Sequence, residues 1–110
     1  MTLFTKIINR EIKSEIVYED EKVIAIRDIA PKAPVHLLII PKKEISSLQE
    51  MKEEDFPIFS EMIEVVQILA KKFNIETGYR LVVNNGKGAG QTIFHLHFHL
   101  LGGKTMTEDL

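Results

Sequence analysis

The chain has 110 residues, 45% of them hydrophobic and 27% charged, and no cysteine. This is the composition of a single globular domain, 1–110, able to fold without disulfides, and it excludes thiol nucleophiles, cysteine-ligated zinc and iron–sulfur chemistry. A formal charge of -2 lacks the basic excess of a polynucleotide-binding surface. No apolar run approaches the ~20 residues of a membrane span, and the first residues lack the basic-then-apolar order of a signal peptide. The expectation is therefore a soluble, cytoplasmic protein with neither a polynucleotide nor a membrane as partner.

In chain order, Leu3, Phe4, Ile7 and Ile8 at one-turn spacing predict a short helix with Thr2 as its N-cap. Two β-rich stretches, Ile16 to Tyr18 and Lys22 to Arg27, flank the polar break Glu19-Asp20-Glu21 and predict a hairpin. After Pro31 and Pro34, the apolar run His36 to Ile40, ended by Pro41, has the length of a central strand covered on both faces. The acidic run Glu53-Glu54-Asp55 is expected as a solvated first helical turn. From Asp55 to Phe73, the stripe Phe59, Met62, Ile63, Val66, Leu69, Ala70, Phe73 predicts one long helix, with Pro57 in its first turn and Gly78 as a stop. Tyr79 to Asn84 and Thr92 to Leu101 predict two further strands joined by a glycine-rich loop. The fold class is α+β, about five antiparallel strands with one long and one short helix.

The chemistry concentrates near the end. In Ile93-Phe94-His95-Leu96-His97-Phe98-His99-Leu100, a strand period of two places the three histidines on one face and Leu96, Phe98 and Leu100 on the other, toward the core. Two functions fit such a row. Imidazoles at alternate positions can converge on a transition metal, with His36 as a fourth candidate, but no Asp or Glu lies between Glu76 and Glu108 to complete a catalytic site. Alternatively, a histidine can attack phosphorus and pass the group to water. Asn84-Asn85-Gly86-Lys87-Gly88-Ala89-Gly90-Gln91-Thr92, directly before the histidines, could supply an anion-binding nest of backbone N–H groups. It is not a Walker A loop, which needs Lys followed by Ser or Thr.

His95-Leu96-His97-Phe98-His99-Leu100-Leu101 resembles the His-x-His-x-His motif of the histidine-triad superfamily. Phe4-Thr5-Lys6-Ile7-Ile8, Arg27-Asp28-Ile29-Ala30-Pro31, Ala33-Pro34-Val35-His36, Ile40-Pro41-Lys42-Lys43 and Gly90-Gln91-Thr92 are similar, in order and spacing, to its nucleotide-binding Hint branch. Leu101-Gly102-Gly103 also favours that branch over the dinucleoside-polyphosphate hydrolases of the Fhit branch, which typically continue with Pro-Arg.

The resemblance implies a purine nucleoside phosphoramidase, releasing a nucleoside monophosphate and an amine through a nucleotidyl-histidine intermediate, without metal or cofactor. In its terms His97 is the nucleophile, His36 and His95 support its hydrogen bonding, and His99 with Gly90, Gln91 and Thr92 contacts phosphate. Asn84 helps hold the site, and Thr92 stands where many relatives have a proton-donating Ser. Asp28 would bind the ribose, while Ile29, Ile26, Ile12 and Phe4 line a slot for adenine or guanine. The resemblance further implies a homodimer continuing the sheet across a twofold axis. A nucleotide-binding regulatory module with vestigial catalysis is the alternative function.

Overall fold

The structure, a computed structural model, describes residues 1–109; Leu110, at the end of the tail, lies outside them. Its elements are α1 (Leu3–Ile8), β1 (Ile16–Glu19), β2 (Val23–Arg27), β3 (Val35–Pro41), α2 (Phe56–Lys72), β4 (Tyr79–Val82) and β5 (Phe98–Gly102). The strands form one antiparallel sheet in the order β1-β2-β3-β5-β4. This is the expected α+β architecture, with β3 in the centre.

Strand alternation divides the core between the two faces of the sheet. Val23 and Ala25 of β2, Leu37 and Ile39 of β3, and Phe98 and Leu100 of β5 join Met62, Val65, Val66, Leu69 and Ala70 of α2. Ile24, Ile26, Leu38 and Ile40 face the other way and join Phe4 and Ile7 of α1. A strand covered on both sides must be apolar throughout, which explains the near-continuous run of β3.

Local chemistry sets the ends. The Thr2 side chain accepts the Thr5 N–H at 3.2 Å, capping α1 as expected. In the β1–β2 hairpin, the Asp20 carboxylate accepts the Lys22 and Val23 N–H groups, both at 2.8 Å. The acidic run forms a single 3-10 turn, Glu53–Asp55, before α2 begins. Glu53 and Glu54 are exposed there, but Asp55 is buried and pairs with Lys43 Nζ at 2.5 Å, so this part of the run is a core anchor rather than a solvated face.

The stop of α2 also differs from expectation. Asn74, with φ of 58°, takes the left-handed position, and Ile75 N–H bonds back to Ala70 C=O at 2.9 Å. Asn tolerates that conformation because its short polar side chain can bond locally. Gly78 plays no such part, and a Cβ there meets nothing within 4 Å. By contrast, a Cβ on Gly102 would lie 2.9 Å from Ile75 Cδ1, in the buried seam behind β5. Gly102→Ala is expected to destabilise the fold by about 1–3 kcal/mol through overpacking. Gly78→Ala should be neutral or stabilise by up to about 1 kcal/mol. Urea midpoints of the two variants in the opposite order would refute this packing.

The histidine segment is strand-like over less of its length than Thr92 to Leu101. Pairing begins only at Phe98, opposite Ile39. Upstream, Leu96 N–H donates to Ile45 C=O at 2.6 Å, while the Pro41 carbonyl is taken by the His95 ring at 2.7 Å. Pro41 itself has no N–H to offer. The ladder gives way to side-chain and loop bonds, yet alternation survives: Leu96, Phe98 and Leu100 are buried in the α2-side core.

Candidate active site

His36, from β3, and the three histidines around the start of β5 meet on the α1 side of the sheet. The pairs Leu38 with His99 and His36 with Leu101 put His36 diagonally beside His99. The ring centroids of His97 and His99 are 5.0 Å apart, and those of His36 and His99 are 5.2 Å apart. Phe4 of α1 stands edge-on to His95 and His97, at 5.7 and 5.0 Å.

Hydrogen bonding assigns each ring. His97 Nδ1 is 2.8 Å from the His95 carbonyl. A carbonyl only accepts, so Nδ1 carries the hydrogen and a neutral His97 keeps its lone pair on Nε2. Lys32 N–H donates to His36 Nδ1 at 3.0 Å, which leaves the His36 hydrogen on Nε2. That hydrogen faces His99 Nδ1 at 2.9 Å, with Asp28 Oδ2 at 3.4 Å as a second acceptor. His99 must then carry its own hydrogen on Nε2. The site thus presents a nucleophilic nitrogen on His97 and an N–H donor on His99.

Burial keeps these rings neutral. Loss of solvation lowers the pKa of His36, His95 and His97 below 6.5. His99 is pushed down to about 4 from 6.5 by burial and then by the neighbouring His97 and His36. The linkage sign is clear. An unfolded chain takes up protons near 6.5, the folded chain only at lower pH, so stability is complete above 6.5 and falls as pH drops through the depressed values. The urea midpoint is expected to decline from pH 7.5 to pH 5; an unchanged or higher midpoint at pH 5 would contradict neutral burial.

A cleft of about 400 Å³ opens beside this cluster, lined by Asp28, Lys32, His36, Val82, Asn84 and His99 among others. Asp28 Oδ1 accepts the Ala30 N–H at 2.8 Å, which fixes the carboxylate against the turn before β3. Asp28, His36 and His99 offer donor atoms within 4.8 Å of one another. His36 and His99 are joined by a hydrogen bond, and Asp28 Oδ2 lies 3.4 Å from His36 Nε2. A larger groove of about 510 Å³ lies on α2 and the start of β4, lined by Glu64, Gln67, Ile68, Lys71 and Tyr79 among others; its lining has no histidine.

The glycine-rich loop is built differently from a nest. Residues Lys87–Ala89 form a 3-10 turn. The N–H groups of Ala89 and Gln91 go to Gly86 C=O, that of Gly90 goes to Lys87 C=O, and that of Gly86 goes to Gln91 Oε1. Gln91 is buried, and its Nε2 donates to the Ser46 and Ile93 carbonyls. Its side chain therefore ties the loop down and has no hydrogen left over. Gly86 and Gly90, with φ of 84° and 90°, make the turn possible. Thr92, at the loop's exit, is exposed.

Of the apolar residues expected at a base, Phe4 and Ile26 are buried in the α1-side core. Ile12 is 38% exposed and Ile29 is 98% exposed, so these two are open to solvent. Sequence reasoning missed the supporting shell: the Lys32 N–H, the Pro41 carbonyl, Glu44, and Thr2 beyond its capping role. Backbone groups carry no side-chain signature, and Thr2 already had a sufficient explanation as a cap.

The HIT domain family matches residues 9–106 of the chain. An uncharacterized HIT-like protein of Chlamydia muridarum is 53% identical over 102 residues, covering 93% of this chain and 81% of the relative. Among solved structures, a HIT family hydrolase from Clostridium thermocellum superposes with a TM-score of 0.96 at 49% identity, covering 99% of this chain and 96% of that one. A histidine triad nucleotide-binding protein from Candida albicans superposes with a TM-score of 0.83 at 32% identity, covering 100% of this chain and 86% of that one. With the family match spanning nearly the whole chain and its histidines gathered at one site, this protein belongs to the HIT domain family.

Proposed function

We propose that the protein is a hydrolase of the Hint type, a purine nucleoside phosphoramidase that cleaves adenosine or guanosine 5′-phosphoramidates through His97. The observation that carries this is the His97 Nδ1 to His95 carbonyl bond of 2.8 Å, which leaves a free lone pair on Nε2 of a ring centred 5.0 Å from that of His99. Hydrolase and nucleotide-binding relatives of high structural similarity support the same class.

In the proposed reaction, His97 Nε2 attacks the α-phosphorus and forms a P–N bond as the bond to the leaving amine breaks. The amine departs with a proton, for which the exposed Thr92 hydroxyl is the proposed donor. Water then attacks phosphorus and gives up a proton that restores the Thr92 hydroxyl, the bond to His97 breaks, and nucleoside monophosphate leaves. The His99 N–H and the loop at Gly90, Gln91 and Thr92 border the phosphate, with the loop's shape held by the Gln91 side chain. Charge on phosphorus is stabilised by the His99 N–H as a fixed donor. Asp28 is the proposed ribose ligand and Asn84 a further wall, both on the cleft. Phe4, Ile12, Ile26 and Ile29 are the proposed apolar surround of the purine. The reaction as proposed needs no metal or cofactor.

A homodimer is part of the proposal: partly exposed Ile68 on α2 and Tyr79 on β4 border the larger groove, and β4 is an edge strand able to pair across a twofold axis. A cytoplasmic setting is proposed from the cysteine-free composition. No helix among the described residues is long and apolar enough to cross a membrane.

The test is release of AMP from adenosine 5′-phosphoramidate in the presence of a chelator. Turnover is expected, with the acid limb of kcat/KM below 6.5 because burial holds the His97 pKa under that value. Turnover that requires an added divalent ion would favour a second reading, in which Asp28, His36 and His99 hold a metal. AMP binding without turnover would favour the regulatory module.

A further inference from the structure

The first turn of α1 reaches the histidines by hydrogen bonds as well as by packing. Thr2 Oγ1 lies 2.8 Å from His95 Nδ1. On the far side of the same ring, Nε2 is 2.7 Å from the Pro41 carbonyl. That carbonyl only accepts, so in the neutral ring Nε2 bears the hydrogen, Nδ1 accepts, and the Thr2 hydroxyl donates. His95 is fully buried, where a charged ring is strongly disfavoured.

Glu44 directs this donation. Its Oε1 accepts the Thr5 hydroxyl at 2.7 Å and the Thr2 N–H at 3.2 Å. With its hydrogen committed to Glu44, the Thr5 hydroxyl can only accept from Thr2, 3.2 Å away, and Thr2 keeps the shorter contact to His95. The chain of contacts thus runs from Glu44 through the two threonines to His95, whose carbonyl receives the His97 N–H.

We propose that Thr2, oriented by Glu44, is a positioning residue for the nucleophile: its hydroxyl locks the neutral His95 ring between Thr2 and Pro41 and so keeps the His95 carbonyl aimed at His97 Nδ1–H. This rests on His97 being the nucleophile. Capping alone would ask only for an acceptor, which Asp supplies as well as Thr. Positioning asks for a donor, which Asp lacks at neutral pH.

The test compares Thr2→Ser, Thr2→Asp and Thr2→Val in the full chain, with adenosine 5′-phosphoramidate as substrate and ¹⁵N shifts of the His95 ring as an activity-independent readout. Thr2→Ser retains donor and cap and is expected to keep near-parent kcat. Thr2→Asp retains the cap but is expected to lower kcat by about tenfold or more, with KM little changed, and to shift His95 away from the Nε2–H form. Thr2→Val should lose kcat too, and its melting temperature reports the separate loss of the cap. Parent-like kcat in Thr2→Asp, or a parent His95 with hydrogen on Nδ1, would overturn the proposal. Undiminished turnover by His97→Ala would instead remove its premise, and the ¹⁵N spectrum still decides the Thr2 to His95 link.

Discussion

His97→Ala is expected to lower kcat for adenosine 5′-phosphoramidate by at least about 10³-fold while leaving AMP affinity within a few-fold of the parent. His97 is the only ring of the cluster whose Nδ1 hydrogen goes to a backbone carbonyl, which frees its Nε2. His99 has its Nδ1 tied to His36, and His95 is enclosed between Thr2 and Pro41. In the proposed reaction the substitution removes the nucleophile and with it the covalent route, while the cleft walls at Asp28, Asn84 and His99 remain. Equilibrium binding of AMP alongside single-turnover kinetics separates the two effects. Turnover by His97→Ala within tenfold of the parent would place the nucleophile elsewhere.

Phe98→Ala is expected to cost about 3–5 kcal/mol, a large part of the stability of a domain this size. Phe98 is fully buried between the sheet and α2, edge-on to Phe59 at 5.1 Å. It is also the first paired residue of β5, opposite Ile39, and the residue between His97 and His99. A cavity there undermines the anchor from which both imidazoles project. Stability and kcat should therefore fall together, and Phe98→Leu, which leaves a smaller void, should recover most of both. Chemical denaturation and turnover measured on the same preparations check this; a loss of less than about 1 kcal/mol in Phe98→Ala would contradict such tight burial.

Much of this was legible because alternation and helical periodicity are local signals. The stripe from Phe59 to Phe73 gave α2 within a few residues, and the spacing of His95, His97 and His99 gave their common face without any knowledge of pairing. The placement of His36 depends on register, since it meets His99 only because Leu38 pairs with His99 across the central strands. Short-range chemistry that depends on long-range partners was not legible. Asp55 reads as one of three exposed acids until Lys43 arrives from just beyond the end of β3. The glycine loop reads as an anion nest until its amides are seen to close on Gly86 and Lys87. Nor does local sequence show that the Gln91 side chain holds the loop by bonding the Ser46 and Ile93 carbonyls.

The neutral state of the cluster follows from the same geometry. Four histidines so close together could not all be charged, and burial lowers every one of them. His97 needs no dedicated base to be neutral at physiological pH: an ordinary imidazole is already mostly neutral there, and burial lowers its pKa further.

The most direct test of covalent catalysis by His97 is the stereochemical course at phosphorus. A P-chiral adenosine 5′-phosphorothioamidate is hydrolysed in ¹⁸O-labelled water and the configuration of the product determined. Two in-line displacements, first by His97 Nε2 and then by water, predict net retention. Net inversion would mean that water attacks phosphorus directly, and would contradict a nucleotidyl-His97 intermediate.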